Sequence, residues 1–346
     1  MSVREALVKL VAGQNLTRAE AGAAMRSLVE GEATPSQIAG FAIALRMKGE
    51  TAEEIAGLAE VMRQAATQVD AGPDVMDVVG TGGDGAGTFN ISTLSALIVA
   101  SAGGKVAKHG NRSVTSQCGA ADFLEGIGVA IDLPPSGVVA CIAETGFGFM
   151  FAPNYHPAMR HAIVPRREIG VRTVFNILGP ITNPAGARRQ LTGVAVPNLG
   201  ETLAHVLDLM GAQHAMVVHG QDGLDEISVG APTQIHEAQA GEVRSYVIEP
   251  EQFGLQRWTT DAVRGGTVET NVRLARSVLD GDRGPARDVT LLNAGASLYV
   301  AGLAESLADG IARAGDELDS GRARAKVEQV ATASQRIKAE QSLEVA

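Results

Sequence analysis

The chain has 346 residues, 45% of them hydrophobic, which is enough to bury a large core as one big domain or two unequal ones and excludes an extensively disordered protein. Its net charge of -10 disfavours a general nucleic-acid or anionic-membrane role, because those partners select a basic face. Two cysteines, Cys118 and Cys141, form neither a disulfide framework nor a metal-ligand spacing; the start MSVREALVKL has no signal-peptide design, and no apolar stretch reaches the roughly 18 residues of a membrane span, so a cytoplasmic protein is expected. The first 70 residues carry helix punctuation: Thr17 and Glu20 are spaced as a capping box, and Gly31 is placed as a stop. Thr34 with Pro35 opens a helix that ends near Gly49, and Thr51 with Glu54 starts another. Ile38, Phe41, Leu45, Ile55, Leu58 and Met62 recur at three- and four-residue spacing, so each helix has one face to bury, against the rest of the chain or a second subunit. From about residue 74, short β-branched runs alternate with helical stretches. The expected strands are VMDVV, KVAK, GVAI, FGFMF, LTGVAV and HAMVVH, with helices at 93–102, 136–145 and 199–210 between them. TQIHEAQAGEVRSYVIEP reads as an antiparallel hairpin and 286–335 as alanine-rich helix. The fold class expected is α/β: a small helical domain, residues 1–70, and a larger domain, 71–346, with a mainly parallel sheet and a C-terminal helical cluster.

Four segments carry chemistry. DVMDVVGTGGDGAGTFNIST, residues 74–93, is a strand running into five glycines and then Asn90, Ser92 and Thr93, where a helix begins. Glycines let backbone N–H groups converge on phosphate, and the helix start adds its dipole, so the loop reads as a phosphate cradle rather than a plain turn. Gly80, Gly82 and Gly85 satisfy G-x-G-x-x-G, but NIST delays the helix, and the second strand ends at Lys108 and His109 without the ribose-binding acid of a dinucleotide site. A Walker A lysine is absent too. KHGNRSVTS, 108–116, follows the next strand and would face the same crevice, with Lys108 and Arg112 as cations and Ser113, Thr115 and Ser116 as donors; a solvated loop is the plainer alternative. Cys118 reads as a packed small residue. GLDEIS, 223–228, offers adjacent Asp225 and Glu226 on a loop, which suits magnesium bridging to phosphate, although two solvated acids would look the same. The arginine-rich stretch 151–184 would bind a carboxylate or phosphate, most plainly through Arg166 and Arg167, while some of its arginines would pair with Glu168 or cap helix ends. His109 and His156 are candidate proton handlers or structural residues.

In order, GTGGD with NIST, KHGNRSVTS, PNYHPAM, PRREIGVRT-FN-LGP-TNP and DGLDEIS resemble the anthranilate phosphoribosyltransferase family over nearly the whole chain. The resemblance implies transfer of phosphoribose from 5-phosphoribosyl 1-diphosphate to the amine of anthranilate in tryptophan synthesis, assisted by Mg2+, in a homodimer joined through the helical segment. It also implies that Gly80, Gly83, Asp84, Thr88, Asn90, Ile91, Ser92 and Thr93 line the diphosphate and ribose. Lys108, His109, Gly110, Asn111, Arg112, Ser113, Val114, Thr115 and Ser116 would close over that substrate. Asn111 and Arg166 would hold anthranilate, with Gly80, His109 and His156 near it; Ser92, Asp225 and Glu226 would bind metal. The family usually carries serine where Ala120 stands, so one substrate hydrogen bond worth about 0.5–1.5 kcal/mol is expected to be lost. No general base is assigned: C–O cleavage ahead of attack makes the ribose cation-like, so the leaving group chiefly needs neutralising, and the anthranilate amine, itself weakly basic, can lose its proton late. Two alternatives remain: a pyrimidine nucleoside phosphorylase, which shares the architecture, and a non-catalytic relative that binds nucleic acid.

Overall fold

A computed structural model describes residues 1–113 and 116–344. The chain opens with four helices, α1 Val3–Val11, α2 Arg18–Val29, α3 Pro35–Lys48 and α4 Ala52–Gln64. All four start in capping boxes, Ser2 with Glu5, Thr17 with Glu20, Thr34 with Gln37 and Thr51 with Glu54, which satisfy N–H groups that a helix start leaves unpaired. Glu54 does more than cap. Fully buried, it accepts the Leu16 N–H at 2.8 Å and the Lys48 ammonium at 2.9 Å, so its charge is matched inside the bundle.

The remainder alternates as β1 Val75–Gly80, α5 Ile91–Ser101, β2 Lys105–Gly110, α6 Ala120–Gly126, α7 Pro135–Thr145, β3 Phe147–Phe151, the short α8 Ala152–Tyr155, α9 Arg160–Ile169, α10 Val174–Ile181, β4 Arg189–Gly193, α11 Gly200–Leu209 and β5 His214–Gly220. The hairpin β6 Thr233–Gln239 and β7 Glu242–Ile248 follows, then α12 Val268–Leu279, α13 Pro285–Val300, α14 Leu307–Asp319 and α15 Arg322–Glu344. The seven strands lie in the order β3-β2-β1-β4-β5-β6-β7, with β1 to β5 parallel and the hairpin antiparallel at one edge. Strand order reverses between β1 and β4, and ligands of open parallel sheets sit beyond the carboxyl ends of strands at such a point.

Three expectations need adjustment. GVAI, 128–131, is not a strand: the Val129 N–H donates to Leu124 and the Ala130 N–H to Ser334 Oγ of α15 at 3.0 Å, so its apolar side chains are buried without joining the ladder. The strand expected over LTGVAV ends at Gly193, and the helix expected at 93 starts at Ile91. The hairpin turns on Ala240 and Gly241, at φ 54° and 81°, the two positive values of a type I′ turn.

Apolar faces of α1–α4 do pack on the rest of the chain. Met25, Phe41, Leu45, Ile55 and Leu58 share one core with Val174, Phe175 and Leu178 of α10 and Leu203 and Leu207 of α11. Where β5 begins, buried Glu237 accepts from Arg244 at 3.0 Å, Tyr246 at 2.6 Å and Tyr299 at 3.0 Å and meets His214 at 2.8 Å. Burial opposes its charge, but these hydrogen bonds outweigh that and hold its carboxyl at about 2.

Candidate active site

β1 delivers the chain at Gly80 into a loop whose Gly82, Gly83, Gly85 and Gly87 have φ of 64°, 75°, 73° and 62°, which side-chain-bearing residues resist. Two other glycines make room for the acidic loop. A Cβ at Gly80 would lie 2.5 Å from Asp225 Oδ2, and one at Gly193 would lie 1.6 Å from the Asp225 carbonyl oxygen. Asp225 therefore seats against the ends of β1 and β4, and its Oδ2 accepts the Gly82 N–H at 2.7 Å. Asp84 accepts the Ala86 N–H through Oδ1, while its buried Oδ2 has no hydrogen-bond partner among the described residues.

The first turn of α5 faces the same place without a side-chain cap. Asn90 instead accepts from Asn271 at 2.8 Å and donates to the Cys118 carbonyl at 3.3 Å, leaving the helix start open to an anion. Ser92 is half-buried in that turn; Ile91 and Thr93 are buried, so Ile91 can meet a ligand only through its backbone. Thr88 lies on the same loop, bridged to Arg264.

Lys108 does not extend into the second loop. Its buried side chain runs beneath the first, donating to the Val78 carbonyl and to Ser92 Oγ at 3.4 Å; burial lowers its affinity for the proton while Asp77 and Glu226 counteract that. His109 and His156 lie 4.8 Å apart between ring centres, their planes tilted by 59°. Burial pushes them down to about 3 and about 4, so both are neutral at physiological pH, which favours the structural of the two roles open to them from sequence. Arg112 is engaged by Asp122 at 2.8 Å and Glu125 at 2.6 Å of α6, and Ser113 Oγ lies 2.7 Å from Ser116 Oγ. Gly110 ends β2, Asn111 is exposed beyond it, and Ala120 begins α6, where Asp122 caps the Gly119 N–H. Val114 and Thr115 fall outside the described residues.

Of the two roles expected for some arginines of 151–184, pairing with Glu168 or capping helix ends, the first is not found among the described residues. Arg166, in the last turn of α9, sits over the Phe175 ring at 5.9 Å, with burial lowering its pKa, while Arg172 donates to the Gly82 carbonyl at 2.7 Å. Beside Asp225 lies Glu226, its carboxyl pushed well above the ordinary range by burial and by Asp225; burial and Asp84 push Asp225 up to about 6. Repulsion between Asp225 and Glu226 would be relieved by a hard divalent cation. Among the described residues no three His, Cys, Asp or Glu side chains are grouped so as to hold a metal ion, so such a cation would rest on one or two carboxylates and draw its other oxygens from water and phosphate. From behind, Asn293 of α13 holds the acidic loop, accepting the Ile227 N–H and donating to its carbonyl, both at 2.9 Å.

Comparison with known proteins identifies the family and the fold. The glycosyl transferase family, a/b domain, matches residues 72–324, and the glycosyl transferase family, helical bundle domain, matches 4–66. An anthranilate phosphoribosyltransferase of Thermomicrobium roseum is 54% identical over 94% of both chains. The chain belongs to the anthranilate phosphoribosyltransferase family. A crystal structure of a member from Thermus thermophilus superposes with a TM-score of 0.91 at 44% identity, covering 95% of this chain and 99% of that one. The Saccharomyces cerevisiae member, in complex with PRPP and Mg, gives 0.87 at 27% identity over 96% and 98%.

Within this anthranilate phosphoribosyltransferase frame, sequence reading missed Arg172 and Asn293. Both act on backbone atoms of distant segments, and only the density of arginines in 160–172 hinted at the first.

Proposed function

We propose that this chain transfers the phosphoribosyl group of 5-phosphoribosyl 1-diphosphate to the amine of anthranilate, a step of tryptophan biosynthesis. The C1–O bond to diphosphate breaks, a C1–N bond forms, and the amine proton leaves to solvent. One observation carries the reading: the glycine loop, the open start of α5 and the Asp225–Glu226 loop converge where the sheet order reverses. Backbone N–H groups of Gly83 and Asp84 and the first turn of α5 hold the diphosphate, with Thr88 and Asn90 beside it and Lys108 beneath the loop. Ser92, Asp225 and Glu226 hold Mg2+, which when bound neutralises the charge of the departing diphosphate. Asn111, Arg166 and the neutral pair His109 and His156 position anthranilate, its carboxylate meeting the guanidinium. The residues orient the amine and exclude water without a strong base. Segments 1–70 and 71–346 form the two domains; the active protein is a cytoplasmic homodimer, which sedimentation would test.

Mixing the protein with anthranilate, 5-phosphoribosyl 1-diphosphate and Mg2+ and following anthranilate fluorescence should show turnover that stops when the metal is chelated. No turnover, with phosphorolysis of a pyrimidine nucleoside instead, would replace this reading by the phosphorylase one.

A further inference from the structure

We infer that Arg172 is a positioning residue that couples the two substrate sites, so that occupation of the diphosphate loop strengthens binding of the aromatic acid; this rests on the phosphoribosyl-transfer reading above. Arg172 lies six residues past Arg166, on the short link between Gly170, which ends α9 at φ 67°, and Thr173, which caps α10. Both flanks are pinned: the Gly170 N–H donates to the Arg166 carbonyl at 3.3 Å, and Asn176 Oδ1 accepts the Thr173 N–H at 3.0 Å. From this fixed base its guanidinium forks onto the Gly82 carbonyl at 2.7 Å and the Thr81 carbonyl at 3.4 Å.

Gly82 is held on its other side as well, since its N–H donates to Asp225 Oδ2 at 2.7 Å. Gly82, held by its N–H on one peptide and its carbonyl on the next, thus stands between the acidic loop and the arginine-bearing segment, and a shift of either pulls on the phosphate cradle. Space at the junction is tight: a Cβ at Gly83 would fall 1.8 Å from Arg172 Nη1. A bound diphosphate that orders residues 81–84 therefore fixes Arg172, and through the last turn of α9 it fixes Arg166. Two ligands that each order the same link bind more tightly together than apart, and the factor is reciprocal.

The test is the dissociation constant of anthranilate, by fluorescence, with and without saturating 5-phosphoribosyl 1-diphosphate and Ca2+ as a non-turnover metal, alongside steady-state kinetics. The native chain should show a gain of at least about fivefold, the lower end of ordinary coupling. Arg172→Ala should reduce that gain to less than twofold while leaving anthranilate affinity without the second substrate within about twofold. Arg172→Lys keeps the charge but not the two-carbonyl fork, so it should retain part of the gain, and it carries the test alone if the alanine variant fails to fold. A native chain that turns over but binds anthranilate equally well with and without the second substrate overturns the coupling, as does Arg172→Ala with undiminished gain. A native chain that binds neither substrate and turns over neither would overturn the reaction on which the inference rests.

Discussion

At Asp225 one carboxylate meets two opposing demands. It must be ionised to hold a cation, yet burial and Asp84 push it up to about 6, and burial and Asp225 raise Glu226 beside it as well. A raised value in the folded state means that the stabilising contribution of Asp225 is present below the ordinary carboxylate range and lost as pH rises through about 6, and that of Glu226 is lost in the same direction. Cation binding favours the ionised forms, so Mg2+ with diphosphate should raise Tm more at pH 8 than at pH 5; equal increments would remove these carboxylates from the metal site. Arg166 poses a simpler case, a half-buried guanidinium with no ion pair among the described residues, stacked on Phe175. Arg166→Ala should raise the KM for anthranilate roughly 10- to 100-fold, the size of a lost charge-assisted hydrogen bond, and that for 5-phosphoribosyl 1-diphosphate far less. Equal effects on both would reassign it to phosphate or to folding. The residue types at Gly80, Asp84, Ser92, Asp225 and Glu226 were readable from sequence because phosphate and hard cations call for such residues at strand ends, helix starts and the loops between them. The depth of Lys108 and the neutrality of His109 and His156 were not, since burial is set by β1, β3 and α8 packing around them.

Element boundaries in the helical segment followed from capping chemistry, where hydroxyl and carboxylate three residues apart satisfy local N–H groups. GVAI misled because a short run of apolar and β-branched residues has the same texture in a strand as in a buried connection, and the deciding partner, Ser334, lies 204 residues away. The β6–β7 hairpin was legible from its glycine, yet Ala240 occupies a left-handed position that disfavours a Cβ. Ala240→Asn should stabilise the protein by about 0.5–1 kcal/mol, seen as a higher denaturant midpoint with unchanged turnover, because asparagine tolerates that conformation in type I′ turns. An unchanged or lower midpoint would mean that the turn is not the one described.

On the scale of the whole molecule, the helical bundle and the sheet domain are not separate cores. Phe41, Leu45 and Leu58 interleave with Phe175, Leu178 and Leu207, so deleting residues 1–66 would strip one wall from α10 and α11. The truncated chain should lose cooperative unfolding and bind a hydrophobic dye, whereas a sharp, native-like transition would show an independent α/β domain. Sequence periodicity announced that the helices had a face to bury; it could not say that α10, a few residues beyond the acceptor arginines, would be what they bury it against. The hairpin has the opposite relation to the chemistry. Gln239 pairs with His214, so the exposed turn at 240–241 sits at the amino ends of the parallel strands, across the full length of the sheet from the glycine loop, with the Glu237 network between. That separation makes the turn a natural port for a grafted reporter or a purification handle: chain can be added there without entering the catalytic face, and the hydrogen-bonded network behind it would isolate the insertion from the strands that carry the site.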